Sequence, residues 1–217
     1  ETNGAIVWTY ELAGSVHSWS SAIANGRVFV ADNWAMKLYA FGAPYPGIHD
    51  VAIIDVTPSQ NSTYERCLID INVTVANEGD FAETVTVDLY YNITAGDKIG
   101  TKIVDLLPTE TKTLTFTWNT TGVKPCRNYA ITAVARPVPG ETNTANNEFT
   151  DGYVKVKILG DVDGNGYVNI KDATLIGLAF GSKPGDPNWN PQADLNQDRY
   201  INVKDIILLG NNFGRTC

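Results

Sequence analysis

The 217-residue chain is acidic, with a formal net charge of -8, and most of that excess falls between residues 43 and 150. No basic stripe is present to neutralise phosphates, which argues against a nucleic-acid partner, and no apolar run approaches the ~18 residues that a membrane-spanning helix needs. It begins at Glu1 with neither an initiator Met nor a leader, and so reads as a processed or trimmed piece of something longer.

Residues 1–42 contain four short strand candidates, Ala5 to Tyr10, Trp19 to Ala24, Arg27 to Ala31 and Lys37 to Phe41. Turn residues separate them, and Ala24-Asn25-Gly26 is a hairpin signal. A Trp-bearing strand, an alanine-rich strand, a Gly turn and a final Leu-Tyr-Ala resemble one repeat of the PQQ-type β-propeller family. A propeller needs about four to eight blades, so one blade cannot close a ring. Its apolar faces and strand edges are expected to find partners elsewhere.

From residue 46 to 157 the pattern changes to strict alternation. Ile69, Ile71, Val73 and Val75 point one way while Asp70, Asn72 and Thr74 point the other, and Val85-Val87-Leu89 and Leu114-Phe116-Trp118 repeat it. Alternation of this kind means sheets with one wet and one buried face. With further strands at Val51 to Val56, Ile103 to Leu107, Tyr129 to Arg136 and Glu148 to Lys157, seven strands fit an Ig-like sandwich, with Tyr129 placed for a tyrosine corner. The stretches VTVANEGD, LLPTETKTLTFTW and ARPVPGETNTANNEF resemble the adhesion-related CARDB family, which implies a spacer or adhesion unit on a secreted protein.

Four N-x-S/T sequons, at Asn61, Asn72, Asn92 and Asn119, all fall in this segment. Asn72, Asn92 and Asn119 lie on the polar phase of their strands, where a glycan would face solvent. The three cysteines, Cys67, Cys126 and Cys217, fit no zinc pattern. In an oxidising location a Cys67–Cys126 disulfide is the natural reading, because both precede strands that would bring them to one end of the sandwich. Cys217 is then left over: free, bridging to another chain, or marking a continuation.

Residues 158–217 contain one segment written twice, DVDGNGYVNIKDATLIGLAFG from Asp161 and DLNQDRYINVKDIILLGNNFG from Asp194, thirty-three residues apart, and duplication demands an explanation. In the first copy Asp161, Asp163, Asn165, the Tyr167 carbonyl, Asn169 and Asp172 stand at loop positions one, three, five, seven, nine and twelve. The second offers Asp194, Asn196, Asp198, Tyr200, Asn202 and Asp205. Alternate oxygens at this spacing wrap a hard cation, and the expectation is two Ca2+ sites.

Position twelve is Asp rather than Glu, and neither loop follows a helical run, so each unit is a loop followed by one helix. Ala173, Ile176, Leu178 and Phe180, and Ile206, Leu209 and Phe213, are expected to pack the two helices together. Duplicated loop-helix units with Asp at twelve resemble the dockerin family, whose partner is a cohesin, bound around loop positions ten and eleven: here Ile170, Lys171, Val203 and Lys204. Those positions lack the Ser-Thr pair common in that family. Arg199 stands where the first loop has Gly166, which predicts a strained, weaker second site.

The expected fold is therefore mainly β and multi-domain, with a small helical module at its end. Only two histidines exist, His17 and His49, neither has a partner at useful spacing, and no motif of a hydrolase, nucleotide-binding or metalloprotease site appears. The expectation is a non-enzymatic calcium-binding protein outside the cell or on its surface. Three roles fit it: a glycosylated subunit that joins copies of itself into a filament by strand addition, a carrier that plugs into a cohesin-bearing scaffold, or the tail of a larger propeller protein.

Overall fold

The computed structural model describes residues 21–24, 27–32, 37–41, 47–92 and 97–217. The chain divides into two compact units, Glu1–Gly47 and Ile48–Cys217. In the first, β1 (Ser21–Ala24), β2 (Arg27–Asp32) and β3 (Lys37–Phe41) form an antiparallel meander in which Ala24 pairs with Arg27. The strand expected at Ala5 to Tyr10 lies outside the described residues.

The second unit holds a sandwich and a helical module together. One sheet consists of β4 (Val51–Pro58), β6 (Leu68–Asn77) and β9 (Thr111–Asn119). The other runs in the order β5 (Ser62–Tyr64), β11 (Glu148–Lys157), β10 (Arg127–Ala135), β7 (Glu83–Tyr91) and β8 (Lys98–Leu106). The seven strands read from alternation are all there, joined by an eighth. Three-residue β5 was invisible to a pattern of period two because it is too short to show one. It pairs parallel to β11 and forms that sheet's edge.

Alternation fixes the core: Ile69, Ile71, Val73 and Val75 of β6 face Val85, Val87 and Leu89 of β7 in one buried cluster. Trp118 stacks on Tyr91 with ring centroids 4.9 Å apart, and Tyr129 meets both rings edge-on. The Tyr129 hydroxyl donates to the Lys124 carbonyl at 2.7 Å, the upstream bond of a tyrosine corner.

Asn61, Asn72 and Asn119 are exposed. Asn92 is half-buried, just past the end of β7 in a left-handed turn (φ 55°), with its N–H bonded to the Ala130 carbonyl. It therefore stands on no strand face.

The cysteine pairing differs from expectation. Cys126 is bridged to Cys217, and Cys67 is a buried free thiol. The sequence argument put Cys67 and Cys126 at the right end of the sandwich, but the helical module packs on that same end and brings the last residue with it. The Cys217 N–H bonds to the Gly166 carbonyl at 2.9 Å, which ties the chain end to the first loop. Cys67 faces the module instead, its Sγ 3.9 Å from the Leu195 carbonyl. Burial pushes its thiol up to about 11, so it stays protonated and unreactive at neutral pH.

A bridge spanning 91 residues of sequence removes a large loop-closure entropy from the unfolded chain. Cys217→Ser should therefore destabilise this unit by about 4–5 kcal/mol in the chain-entropy model. Denaturant unfolding measures the loss, and peptide mapping without reduction should recover a Cys126–Cys217 pair and a free Cys67.

Candidate metal centre and its junction with the sandwich

Each loop leads into a ten-residue helix, α1 (Ile170–Ala179) and α2 (Val203–Asn212). Both helices start with a capping box. The Asn169 and Asn202 side chains accept the N–H of Lys171 and Lys204, and the Asp172 and Asp205 carboxylates accept back from the cap N–H. Two orphan donors are satisfied at each helix start. The same aspartates hold their loops closed. Asp172 Oδ1 accepts the N–H of Val162 at 2.8 Å and of Asp163 at 3.1 Å, while Asp205 Oδ1 accepts those of Leu195 and Asn196 at 2.9 and 3.3 Å.

In the first loop, carboxylate oxygens of Asp161, Asp163 and Asp172 lie within 4.8 Å of one another. Three negative charges so close repel unless a cation sits among them. Asp161 is 1% exposed, and its Oδ1 is buried with no hydrogen-bond partner, while its Oδ2 accepts the Gly166 N–H. Burial pushes its carboxyl above the usual carboxylate range. An orphaned, desolvated acceptor aimed among two other carboxylates fits a hard divalent cation bound through oxygen. Asn165 and Asn169 flank it, and the Tyr167 carbonyl occupies position seven.

The second loop is less complete. Both oxygens of Asp194 accept loop N–H groups, from Asp198 at 3.1 Å and Arg199 at 2.8 Å. Burial raises this carboxyl too. Asp198 is engaged by the Asn196 amide and by Lys204 Nζ at 3.3 Å, which hold it below its ordinary range. The Asn202 amide donates to the Tyr200 carbonyl. Among the described residues, no second set of three acidic side chains converges as the first does. Arg199 is left-handed at φ 66°, as its alignment with Gly166 predicted, and so is Gln197 at φ 57°, where the first loop has Gly164.

The helices pack differently from expectation. Asp172, Ile176 and Ala179 form the buried face of α1, and Asp205, Leu209 and Asn212 that of α2. Leu178, Phe180, Ile206 and Phe213 are exposed instead, Leu178 at 69%. A helix turns 100° per residue, and the stripe that contains the position-twelve aspartate excludes them. Asp172 and Asp205 thus ride on the core faces of their helices.

The two loop-helix repeats interlock through the residue at loop position eight. Val168 exchanges backbone bonds with Gly214 and Arg215, beyond α2, and Ile201 with Gly181 and Ser182, beyond α1. Gly181 and Gly214 both turn at positive φ, 81° and 84°, and this lets each chain end swing back onto the other loop.

The module is fastened to the sandwich by groups that sequence reasoning missed. Tyr64 donates to the Gln192 carbonyl at 2.8 Å and lies 4.3 Å beneath Lys157 Nζ, which itself donates to Gln192 Oε1 at 2.5 Å. Burial pushes the Lys157 amine down, while Asp161, Asp172 and Asp163 pull it back up. Arg215 pairs with buried Glu65, and the Gln197 amide both donates to and accepts from the Leu68 backbone at 3.2 Å. Tyr64, Cys67, Ile158, Leu159, Val162, Leu195 and Leu209 share one apolar cluster across the junction. The sequence carried no signal of this: Lys157 falls on the same polar phase as Lys155 in a regularly alternating strand ending.

Residues 159–214 match the family described as the dockerin type I domain. Residues 50–151 match the CARDB family. Dockerin type I domains bind calcium and cohesin partners and typically occur on extracellular or cell-surface proteins, and neither family is catalytic. No curated protein matches the chain.

Among solved structures, the CARDB domain of a Pyrococcus furiosus protein, in complex with di-metal ions, is 27% identical. The match covers 51% of this chain and 96% of that one, with a TM-score of 0.42. A β-glucosidase from Erythrobacter marinus is 18% identical over 50% of this chain and 15% of its own (TM-score 0.37), and one from Listeria innocua, in complex with glucose, 14% over 55% and 17% (TM-score 0.33). Among the described residues no helix is long and apolar enough to cross a membrane.

The loops predict a hierarchy. Asp161→Asn should reduce calcium affinity of the first loop by at least about tenfold, since it removes a charge from an otherwise unpaired acceptor. Lys204→Ala should raise that of the second up to about fivefold, by freeing Asp198 from an exposed ion pair. Calorimetric titration of each variant against the parent chain measures both.

Proposed function

We propose that the chain is a non-enzymatic extracellular attachment protein whose dockerin-type module binds two calcium ions, the second more weakly, and docks a cohesin-like partner protein. The observation that carries this reading is an exposed apolar set repeated by the duplication: Tyr167 with Tyr200, Ile170 with Val203, and Phe180 with Phe213, all solvent-exposed and each pair thirty-three residues apart. Exposed apolar side chains on so small a module are the mark of an interface, and Ile170 and Val203 occupy loop position ten. The CARDB-like sandwich is the spacer that carries the module, and glycans at the exposed Asn61, Asn72 and Asn119 would cover part of its surface.

A second reading is a subunit that polymerises by strand addition. It is favoured by the first unit, where β1 and β3 are each paired on one side among the described residues and so leave ladder edges for another chain. A heterologous contact of that kind propagates as a filament.

The double variant Ile170→Asp, Val203→Asp should keep calcium binding and lose at least about a hundredfold in affinity for a cohesin domain that captures the parent chain, since two anchors are removed at once. Surface plasmon resonance against a panel of cohesin domains, with and without chelator, measures this. If no panel member binds the parent chain and microscopy shows calcium-dependent filaments, the second reading replaces the first.

A further inference from the structure

A cleft of about 160 Å3 lies between edge strand β5 and the second calcium loop, lined among others by Gln60, Ser62, Thr63, Trp189, Gln197 and Arg199. Asp194, Gln197 and Arg199 of the second loop line it, and no residue of the exposed apolar set does. One feature that costs stability stands there. Arg199 holds a left-handed backbone where the first loop has glycine, and its guanidinium has no carboxylate partner among the described residues.

The first loop provides an internal control. Its Gly164 and Gly166 carry the same positive φ without penalty, so the second loop keeps long side chains at positions where glycine would be more stable. Gln197 is accounted for, since its amide clips the loop to Leu68. Arg199 is not, and strain held at a cleft points to a ligand.

We infer that this cleft binds a carboxylated sugar residue, a uronate of an acidic polysaccharide. The space suits a group the size of one sugar ring, well below a drug-sized pocket. Trp189, half-buried at the wall, offers an aromatic face on which the C–H face of a sugar packs. Gln60 and Ser62, neither with a side-chain hydrogen bond among the described residues, supply hydroxyl partners. The planar fork of Arg199 matches a single carboxylate. The aromatic wall at Trp189 favours a ring-bearing anion over inorganic phosphate. A neutral sugar would leave Arg199 unused.

The test is a titration of the calcium-saturated full chain with digalacturonate, followed by the tryptophan indole resonances, with cellobiose and sodium acetate as comparators. The expected result is a Trp189 shift with digalacturonate alone, with a dissociation constant on the order of 1 mM. Arg199→Gly should weaken it at least about tenfold while tightening calcium at the second loop about fivefold or more by relieving the left-handed strain. That opposite movement separates lost recognition from lost folding. Digalacturonate giving no shift, cellobiose or acetate giving an equal one, or Arg199→Gly leaving affinity unchanged would each overturn the assignment.

Discussion

The aspartate at position twelve is the group on which the rest of the module depends. Asp172 accepts three backbone N–H groups, two from the start of its loop and one from the cap of α1, and Asp205 does the same for the second unit. Each carboxylate joins a loop to a helix and lies on the helix face that meets the core. Its charge is the part such bonds do not neutralise. In the first loop, where Asp161 and Asp163 converge on it, a cation is the group that lets all three stay ionised together. With a cation bound there, folding of the module and metal binding would be one equilibrium.

That coupling extends into the sandwich. A module with so few buried apolar residues has little stability of its own, and here it borrows from the end of the sheets. Tyr64 and Cys67 contribute to its core cluster, Glu65 holds Arg215, and the Cys126–Cys217 bridge fixes the chain end against the first loop. A cation in that loop therefore braces the junction as well as the loop. The consequence is mechanical: the module is held on a fixed base rather than on a flexible tether.

What the sequence revealed follows from what is local. Alternation in β6, β7 and β9 and the twelve-residue ligand spacing are short-range patterns; the structure buries the alternating residues as expected and, of the twelve spaced ligand candidates, brings together the carboxylates of Asp161, Asp163 and Asp172. Left-handed Arg199 was legible because its own repeat provided Gly166 for comparison. What failed was long-range. Cys126 has Cys217 rather than Cys67 because the module docks on the end of the sandwich where both candidates sit, and no spacing encodes that docking. Phe180 and Phe213 looked like core because they are apolar at helical spacing, yet both fall at the helix C-cap, beyond the buried stripe. Tyr64, Glu65 and Arg215 carry no signature before their neighbours are known.

The claim that one cation organises loop, helix start and junction is tested most directly by amide hydrogen exchange on the full chain with calcium and with chelator. Removing calcium should deprotect the Val162 and Asp163 amides and, with them, the junction amides of Leu159 and Leu68, while Ile71 and Val87 in the sandwich core stay protected. Unchanged protection at Val162 and Leu159 after chelation would contradict the account.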